Sequence, residues 1–436
     1  MRILDYIFYA ILCIVASVGL LTYNIHEDMY FMLPSFDITQ KHEIYEKEQW
    51  EVNATNLLSV DIERIDSARY IISYLDRDIQ HNTNLYGMLF YPNKYSITLQ
   101  KGVWQNIATN TKVHSKATLL LNTGILKSKT KQYIQNINTA LLQRDDSNLY
   151  VFLNATLTQK PLTARNYIFQ TNLKDIASYI ESNDKQPNKE NIENNNINMN
   201  IDSIFTLHSN PTLSIFAKLN AFLSHKPISF ISNHSATQGT ILPFYTHLKE
   251  NIAFFGIFNK QLKLQEILKP HNDNLYTNPL ITPIHTNYDL NTKTNDTTTH
   301  SCLALYQKLP TSDSRTNLAY QPCKVSNGTL QFEELRESSL ITGNAISVGV
   351  FGRYVIIVYT NNTNTTLNLA VWNGVDFIPL KEIDKIMKGQ IISPHIITHG
   401  AYAYIIYGKN MQNRINVITL NEIYIANLIA AQNASS

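Results

Sequence analysis

The most prominent feature of the hydrophobic pattern is an uncharged, largely apolar stretch from Tyr6 to Ile25. About 20 residues of helix cross the hydrocarbon core of a bilayer, and a helix satisfies every backbone polar group within the segment. Arg2 precedes the stretch, and no Lys or Arg follows it before Lys41. By the positive-inside rule, the pattern predicts a single-pass signal-anchor at residues 6–25 with its N-terminus in the cytoplasm.

A cleaved signal peptide is the alternative interpretation of the same stretch. Ala16, Ser17 and Gly19 supply small residues near a potential cleavage point, although the stretch is longer than a usual apolar core of 7–15 residues. The anchor predicts a protein of the bacterial inner membrane with most of its chain in the periplasm, and cleavage predicts a secreted one. The eight Asn-x-Ser/Thr sequons, about as many as chance predicts, carry no information on glycosylation.

Apolar residues at spacings of three and four predict several helices beyond this stretch. The longest is an amphipathic helix from Leu58 to Ile79, with Asp61 and Glu63 in its first turn, where acidic side chains favour the helix dipole. The same spacing predicts shorter helices at 127–144, 173–181, 210–223, 261–268, 379–388 and 421–431.

Runs of β-branched and aromatic residues predict strands between these helices. They lie at 86–91, 95–99, 119–121, 149–153, 346–359, 367–372, 375–378, 391–397, 401–407 and 415–420. The first two flank a short turn at 92–94 and predict a hairpin, and Asn373-Gly374 is the strongest hairpin signal in the chain.

Together these elements predict an α+β protein: an N-terminal transmembrane helix, a mixed helix/strand region and a mostly antiparallel, β-rich C-terminal region. The boundaries follow composition, and the Asn-rich segment 183–202 has too little apolar surface to offset its ordering entropy. The predicted units are the anchor 1–25, a mixed domain 26–182, the linker 183–202, a mainly helical segment 203–300 and a β-rich domain 301–436.

Composition narrows the function classes. The formal net charge is +2 and no block of Lys or Arg occurs, which argues against a nucleic-acid partner. The chain holds only 14 glycines, which disfavours glycine-rich phosphate loops and most multi-blade propellers. The expected partners are the lipid bilayer, through residues 6–25, and other envelope proteins.

Candidate chemistry is sparse, and the sequence predicts no catalytic residue, no metal site and no cofactor. His395 and His399 have a zinc-binding spacing only on a helix, whereas their neighbours predict a strand on which they lie about 13 Å apart. Asp384 is isolated, and no serine lies in a nucleophile-elbow motif. No resemblance to a known family is specific enough to name.

Two cysteines, Cys302 and Cys323, lie beyond the anchor. An extracytoplasmic location favours a disulfide between them, and closing a loop of this length contributes about 3 kcal/mol. Two free thiols are the alternative.

These observations favour a membrane-anchored, non-enzymatic envelope component that binds or scaffolds other molecules. The alternative is a membrane-anchored envelope hydrolase that acts on glycan or peptide. Side chains such as Ser, His or carboxylates converging in one deep pocket would favour the hydrolase, and a shallow surface with an exposed apolar patch would favour the binder.

Overall fold

The computed structural model describes residues 43–66, 68–92, 95–100, 103–108, 114–145, 147–158, 163–184, 201–207, 221–224, 228–232, 237–246, 253–259, 264–269, 276–284, 299–308, 317–326, 329–352, 354–399 and 402–435. The predicted anchor lies outside these residues, as does most of the predicted linker. Among the described residues, no helix is both long enough and apolar enough to cross a bilayer. The division into domains stays a prediction.

The described residues form six antiparallel sheets of four or five strands, which we call blades, and one two-stranded hairpin. Blade 1 contains β2 (Leu57–Arg64), β3 (Tyr70–Arg77), β4 (Thr83–Phe90) and β7 (Thr118–Asn122). Blade 2 contains β8 (Ile134–Arg144), β9 (Asn148–Leu157), β10 (Thr163–Asn172) and β11 (Thr206–Leu207). Blade 3 contains β12 (Ala221–Leu223), β13 (Ile228–Ser232), β14 (Thr237–Thr246), β15 (Ala253–Asn259) and β16 (Leu264–Leu268).

The second half of the chain forms the other three blades. Blade 4 contains β17 (Tyr276–Pro283), β18 (Thr299–Lys308), β19 (Asn317–Ser326), β20 (Thr329–Phe332) and β21 (Arg336–Thr342). Blade 5 contains β22 (Asn344–Phe351), β23 (Tyr354–Thr360), β24 (Thr366–Trp372) and β25 (Phe377–Lys385). Blade 6 contains β26 (Ile391–His399), β27 (Tyr402–Lys409), β28 (Arg414–Asn421) and β1 (Tyr45–Glu51).

The remaining elements lie between or after the blade strands. The hairpin consists of β5 (Tyr95–Gln100) and β6 (Val103–Ala108), inserted between β4 and β7. The helices are α1 (Thr123–Thr130), α2 (Leu173–Asp184), α3 (Ile201–Ile204) and α4 (Glu422–Ser435), and a 3₁₀ turn covers Asn410–Gln412.

Blade 6 joins the two ends of the described chain. Its outermost strand β1 pairs antiparallel with β28, from Tyr45 opposite Leu420 to Glu51 opposite Arg414. The first described strand therefore completes the last sheet. The strand pairing closes the structure into a ring without relying on side chains alone.

Six hydrophobic clusters seal this ring, one between each pair of neighbouring blades. Strand β18 shows how one strand serves two clusters. Ala304 and Tyr306 pack toward blade 3, whereas Leu303 and Leu305 pack toward blade 5. Sheets that pack face to face around a closed ring define a β-propeller, so the fold is a six-bladed β-propeller.

The predicted α+β class is therefore wrong, because the described chain is mainly β. The prediction that the low glycine count disfavours a propeller is also wrong. Within the described ranges, left-handed positions are occupied by residues such as His81, Asn364 and Asn413 as well as by glycines. Asparagine tolerates this conformation better than most residues.

The predicted helix from Leu58 to Ile79 is two strands, β2 and β3, joined by a turn. Asp66 stabilises that turn, because its carboxylate accepts hydrogen bonds from the backbone amides of Ala68 and Arg69, each within 2.9 Å. Both strands are buried on both faces. In β3 the apolar residues therefore do not alternate with polar ones as in a half-buried strand. In β2 the residues from Ser59 to Glu63 do alternate, but Leu58, Ile62 and Ile65 also have the spacing of a helix.

The predicted helix at 127–144 is wrong for a related reason. Helix α1 ends at Thr130, followed by the left-handed residue Lys131, and the apolar run beyond it is strand β8. Two β-bulges in β8 shift its register against β9, one of them between Ile137 and Thr139. Each bulge adds a residue and changes the phase of the alternation, so buried residues acquire a spacing of three.

The other secondary-structure predictions have mixed outcomes. Helices α2 and α4 confirm the predictions at 173–181 and 421–431, and Asn373-Gly374 forms the predicted β24–β25 hairpin. The predicted helices at 261–268 and 379–388 are wrong, because β16 and β25 occupy those positions. The hairpin predicted at 86–99 is wrong, because β4 pairs with β7, and β5 with β6. The predicted helix at 210–223 ends in strand β12, and its residues 210–220 lie outside the described ranges.

Candidate functional site

A cavity of about 220 Å³ lies where the six blades meet, and every blade contributes to its lining. Apart from Gln307, which lies on β18, the second strand of blade 4, the contributions come from the innermost strand of each sheet or from the residue after it. The polar lining residues are Ser59, Thr139, Ser224, Asn278, Gln307, Ser393 and His395, and the apolar ones include Leu141, Leu280 and Ile346. Because all six blades converge here, this cavity is the centre of the propeller.

The innermost strands are irregular at the cavity. Five of them, β2, β8, β17, β22 and β26, each shift register against their neighbour at or next to a lining residue. A β-bulge re-aims side chains and interrupts pairing, and bulges are enriched beside active sites. Register shifts also occur between outer strands of blades 1, 3, 4 and 5. The shifts of the innermost strands differ from these because they coincide with residues that line the cavity.

Two of the lining residues adopt left-handed backbone conformations. Asn278 has φ 47° and Ser393 has φ 45°. For Ser393 this conformation costs on the order of 1 kcal/mol, whereas asparagine adopts it more readily. The surrounding sheets hold both residues in place, so the cavity wall is built at some expense in stability.

A buried Asp–His pair lies against the cavity. His395 Nδ1 is 3.6 Å from Asp61 Oδ1, and the side chain of Asp61 has no solvent exposure. The backbone amide of Ile62 donates to Asp61 Oδ1 (2.7 Å), and that of Leu142 donates to Oδ2 (2.6 Å). The carboxylate is thus fixed by blades 1 and 2 while it faces a histidine of blade 6.

Ser59 adds a hydroxyl group beside this pair. It lies two residues before Asp61 on strand β2, so both side chains point to the same face, whereas Val60 and Ile62 pack in the cluster between blades 6 and 1. Ser59 is buried and lines the cavity. The cavity therefore combines an imidazole that faces a buried carboxylate with neutral hydroxyl and amide groups.

A chain of side-chain amides lies on the opposite wall, between blades 4 and 5. Asn278 Nδ2 donates to Gln307 Oε1 (2.7 Å), and Gln307 Nε2 donates to Asn344 Oδ1 (2.8 Å). Asn344 Nδ2 in turn donates to the backbone carbonyl of Asn362 (2.9 Å). We call Asn278, Gln307 and Asn344 the amide chain.

The structure separates the two histidines that the sequence singled out. Both lie on β26, but His395 faces Asp61, whereas His399 contacts the guanidinium of Arg64 (Nε2 to Nη1, 3.1 Å). They do not form one site. No group of three or more His, Cys, Asp or Glu side chains suited to a metal ion occurs within the described ranges.

Cys302 and Cys323 lie directly opposite each other on β18 and β19, with 4.8 Å between their Cα atoms, and are joined by a disulfide bond. Both are buried in the cluster between blades 3 and 4. Asp384, isolated in the sequence, lies on β25 away from the cavity and forms ion pairs with Lys47 and Lys409.

Sequence reasoning missed the pairing of Asp61 with His395. Asp61 was assigned to the first turn of a helix, and His395 was considered only as a metal ligand with His399. One available signal was the alternation of apolar and polar residues from Ser59 to Glu63, in which Asp61 lies between Val60 and Ile62. A carboxylate there is buried if the run is a strand, and a buried carboxylate needs a partner.

The sequence matches no protein-family model and no curated protein. Among solved structures, the chain is similar to an α-L-arabinofuranosidase from Fusarium graminearum bound to an iminosugar inhibitor, at 7% identity and a TM-score of 0.45 over 85% of this chain and 96% of that one. It is also similar to RS223-β-xylosidase, at 9% identity and a TM-score of 0.39 over 86% of this chain and 94% of that one. A third similar structure is Trypanosoma rangeli sialidase, at 7% identity and a TM-score of 0.46 over 88% of this chain and 57% of that one. At these identities and TM-scores, the likeness says nothing about the activity of this chain.

The prediction of a non-enzymatic binding or scaffolding component is wrong, and its hydrolase alternative is the better account. A scaffold predicts a shallow surface with an exposed apolar patch. The described residues instead converge on a central cavity with a histidine and several hydroxyl groups.

Proposed function

We propose that the protein is a hydrolase that acts on a glycan in the central cavity, with His395 as the acid–base residue and Asp61 as its positioning residue. The observation that carries the proposal is the Asp61–His395 pair, which lies where bulged strands open a polar cavity. A histidine with access to a cavity and a fixed carboxylate beside it are suited to general acid–base catalysis.

The arrangement supports a simple proton path. Neutral His395 takes a proton from a water molecule as the water oxygen bonds to the anomeric carbon of the sugar. The imidazolium that forms faces the carboxylate of Asp61, which stabilises the positive charge. His395 then returns the proton to the leaving oxygen, so that water is consumed and two hydroxyl-bearing products form.

The lining supports a glycan as the substrate class. Its polar side chains apart from His395 are neutral hydroxyls and amides, which both donate and accept hydrogen bonds, as sugar hydroxyls do. The cavity also has a suitable size. An apolar cavity of about 150 Å³ holds benzene, so about 220 Å³ accommodates one six-membered ring with hydroxyl substituents.

Most glycosidases use two carboxylates on either side of the bond they cleave. The cavity lining contributed by the described residues contains neither Asp nor Glu, and Asp61 lies behind His395, fixed by two backbone amides. For this reason the proposal assigns the proton transfer to His395.

The test is hydrolysis of a panel of 4-nitrophenyl glycosides by the purified full-length chain, with His395→Gln and Asp61→Asn as variants. The proposal predicts turnover of at least one glycoside and a loss of about 10²-fold or more in kcat for His395→Gln. His399→Gln, on the same strand but in contact with Arg64, is the matched control and should retain activity.

Equal activity of the His395→Gln variant and the wild type would contradict the proposal. Cleavage of a fluorogenic peptide in place of every glycoside would contradict the substrate class. Circular dichroism and thermal melts of each variant separate lost catalysis from lost folding.

The location outside the cytoplasm is a further part of this proposal. A single-pass anchor at residues 6–25 would hold the propeller on the periplasmic side of a bacterial inner membrane, and other envelope proteins remain proposed partners. The disulfide between Cys302 and Cys323 supports an oxidising compartment. Cleavage of a signal peptide would give a secreted form instead.

A further inference from the structure

The amide chain has a defined direction. The backbone carbonyl of Asn362 can only accept a hydrogen bond, so Asn344 must turn its NH₂ group toward it and its oxygen toward Gln307. Gln307 must then donate to Asn344 and accept from Asn278. One fixed acceptor therefore determines the orientation of all three amides, which sequence or side-chain shape alone leaves ambiguous.

The direction of the amide chain determines which of its atoms face the cavity. Asn278 uses its NH₂ group on Gln307, so its carbonyl oxygen is the terminal acceptor of the chain. Asn278 and Gln307 both line the cavity, and within the described residues no hydrogen bond reaches the Oδ1 atom of Asn278. The left-handed backbone of Asn278, at a bulge between Thr277 and Leu280, places this side chain on the wall.

A terminal acceptor discriminates between ligands. A sugar hydroxyl can donate to Asn278 Oδ1 and accept from the second N–H of a neighbouring amide. An ionised carboxylate only accepts, so it meets the carbonyl oxygen without a hydrogen bond and with electrostatic repulsion.

We infer that the amide chain of Asn278, Gln307 and Asn344 is the specificity-determining element of the cavity and selects a neutral, hydroxyl-bearing sugar unit over an acidic one. This inference rests on the proposed function for the location of the ligand. It concerns binding, however, and can be tested without turnover.

The experiment measures binding of D-glucose, D-galactose and D-xylose, and of D-glucuronate and D-galacturonate, to the full-length chain carrying His395→Gln. Gln307→Glu keeps the side-chain shape but cannot donate to Asn344. Asn278→Gly removes the terminal acceptor at a left-handed position that glycine tolerates, so it should fold even if the first variant does not. Gln331→Glu makes the same chemical change on the exposed surface of β20 in the same blade and is the matched control.

The inference predicts that at least one neutral sugar binds and that its uronate binds about tenfold more weakly or not at all. Gln307→Glu and Asn278→Gly should each weaken binding of the neutral sugar about tenfold, and Gln331→Glu should leave its Kd unchanged. Equal or tighter binding of the uronates, unchanged Kd in both amide-chain variants, or no binding of any sugar would overturn it. Hydrolysis of only acidic glycosides by the wild type would support the proposed function and contradict this inference. Binding of a neutral sugar without turnover of any glycoside would support this inference and contradict the proposed function.

Discussion

Two regions of the propeller use polar residues in opposite ways. The outer seam, where β25 of blade 5 meets blade 6, is defined by Asp384, Lys47, Lys409 and Tyr407. The inner rim is defined by the bulged innermost strands around the cavity. The seam pairs its buried charges with one another, whereas the rim leaves hydroxyls and amides open to the cavity. The polar residues of the seam hold the ring closed, whereas those of the rim are available to bind a ligand.

The seam concentrates its contacts on one carboxylate. The side chain of Asp384 is only 7% exposed and pairs with Lys47 of β1 and with Lys409 of β27, whose Nζ lies 3.0 Å from it. Tyr407 donates a further hydrogen bond. Burial opposes the charge, but hydrogen bonds from Lys47, Tyr407 and Lys409 outweigh it and hold the pKa of Asp384 below its ordinary value. Such an arrangement favours closure of the ring.

The inner rim differs from the seam in its backbone conformation, because it contains left-handed residues and none of the four seam residues is left-handed, although β25 of the seam is also bulged. Asn278 and Ser393 have left-handed backbones, and five innermost strands are bulged. Residues held in sparsely populated conformations persist where the surrounding structure over-determines them. The seam and the intervening hydrophobic clusters supply that support. We therefore expect mutations at the seam to cause large losses of stability without a change in activity, and mutations at the rim to change activity with only small effects on stability.

Asp384→Ala should have the largest effect on stability. It leaves Lys409 buried without its partner, and breaking a buried ion pair costs about 3–5 kcal/mol. Urea unfolding at pH 7 measures the loss, with Glu382→Ala, exposed on the same strand, as the control. Because the pKa of Asp384 is depressed in the folded state, its contribution is present at neutral pH and should shrink as the pH falls below about 4. A stable Asp384→Ala protein with reduced glycoside turnover would contradict the division between seam and rim.

Replacing both Cys302 and Cys323 with Ala should lower the free energy of unfolding by about 3 kcal/mol, because the loop between them is no longer cross-linked in the unfolded chain. Glycoside turnover of the folded variant should not change, since both residues lie in the blade 3–4 cluster rather than in the cavity lining. The bond itself is tested by intact mass after alkylation of the natively exported chain. Two adducts would contradict both the disulfide and the extracytoplasmic location.

Ser393→Gly and Ser59→Gly form a matched pair within the rim. Glycine relieves the left-handed backbone at Ser393, so this variant should gain up to about 1 kcal/mol of stability. Ser59 lies in a strand without a positive φ, so its glycine variant should lose about 0.5–1 kcal/mol. The denaturant midpoint of each variant shows whether its stability rises or falls. A loss at both positions would show that the cavity wall is not strained.

The smallest expected effect concerns Glu48 on β1. Burial, with a contribution from Glu46, raises the pKa of Glu48 to about 7. Because the folded-state pKa exceeds the unfolded one, the stability of the wild type should fall as the pH rises from about 4.5 to about 7. Glu48→Gln should remove this dependence and have the higher Tm at pH 8. Parallel Tm–pH curves for the two proteins would contradict the assignment.

What the sequence predicts correctly is mostly local. Helix α2, helix α4 and the Asn373-Gly374 hairpin each depend on neighbouring residues, and their signals are short in range. The strands β2, β3 and β8 were mistaken for helices because they are buried on both faces or bulged, and only the sheets beside them reveal that. The packing of blades on one another is a property of the whole ring.

The site was harder to predict than the fold. Asp61 and His395 lie near opposite ends of the described chain and meet only because the ring closes through β1 and β28. The amide chain likewise joins residues of two blades. By contrast, the two cysteines oppose each other across one hairpin, a relation that composition and compartment suggested without any knowledge of the ring.

The most direct test of the central claim is a crystal structure of the full-length His395→Gln variant soaked with the glycoside that the wild type turns over fastest. The account predicts the sugar ring in the central cavity, with its hydroxyls on Asn278 and Gln307 and its glycosidic oxygen beside position 395. A sugar bound elsewhere on the propeller, with the cavity unchanged, would contradict the assignment of this cavity as the active site.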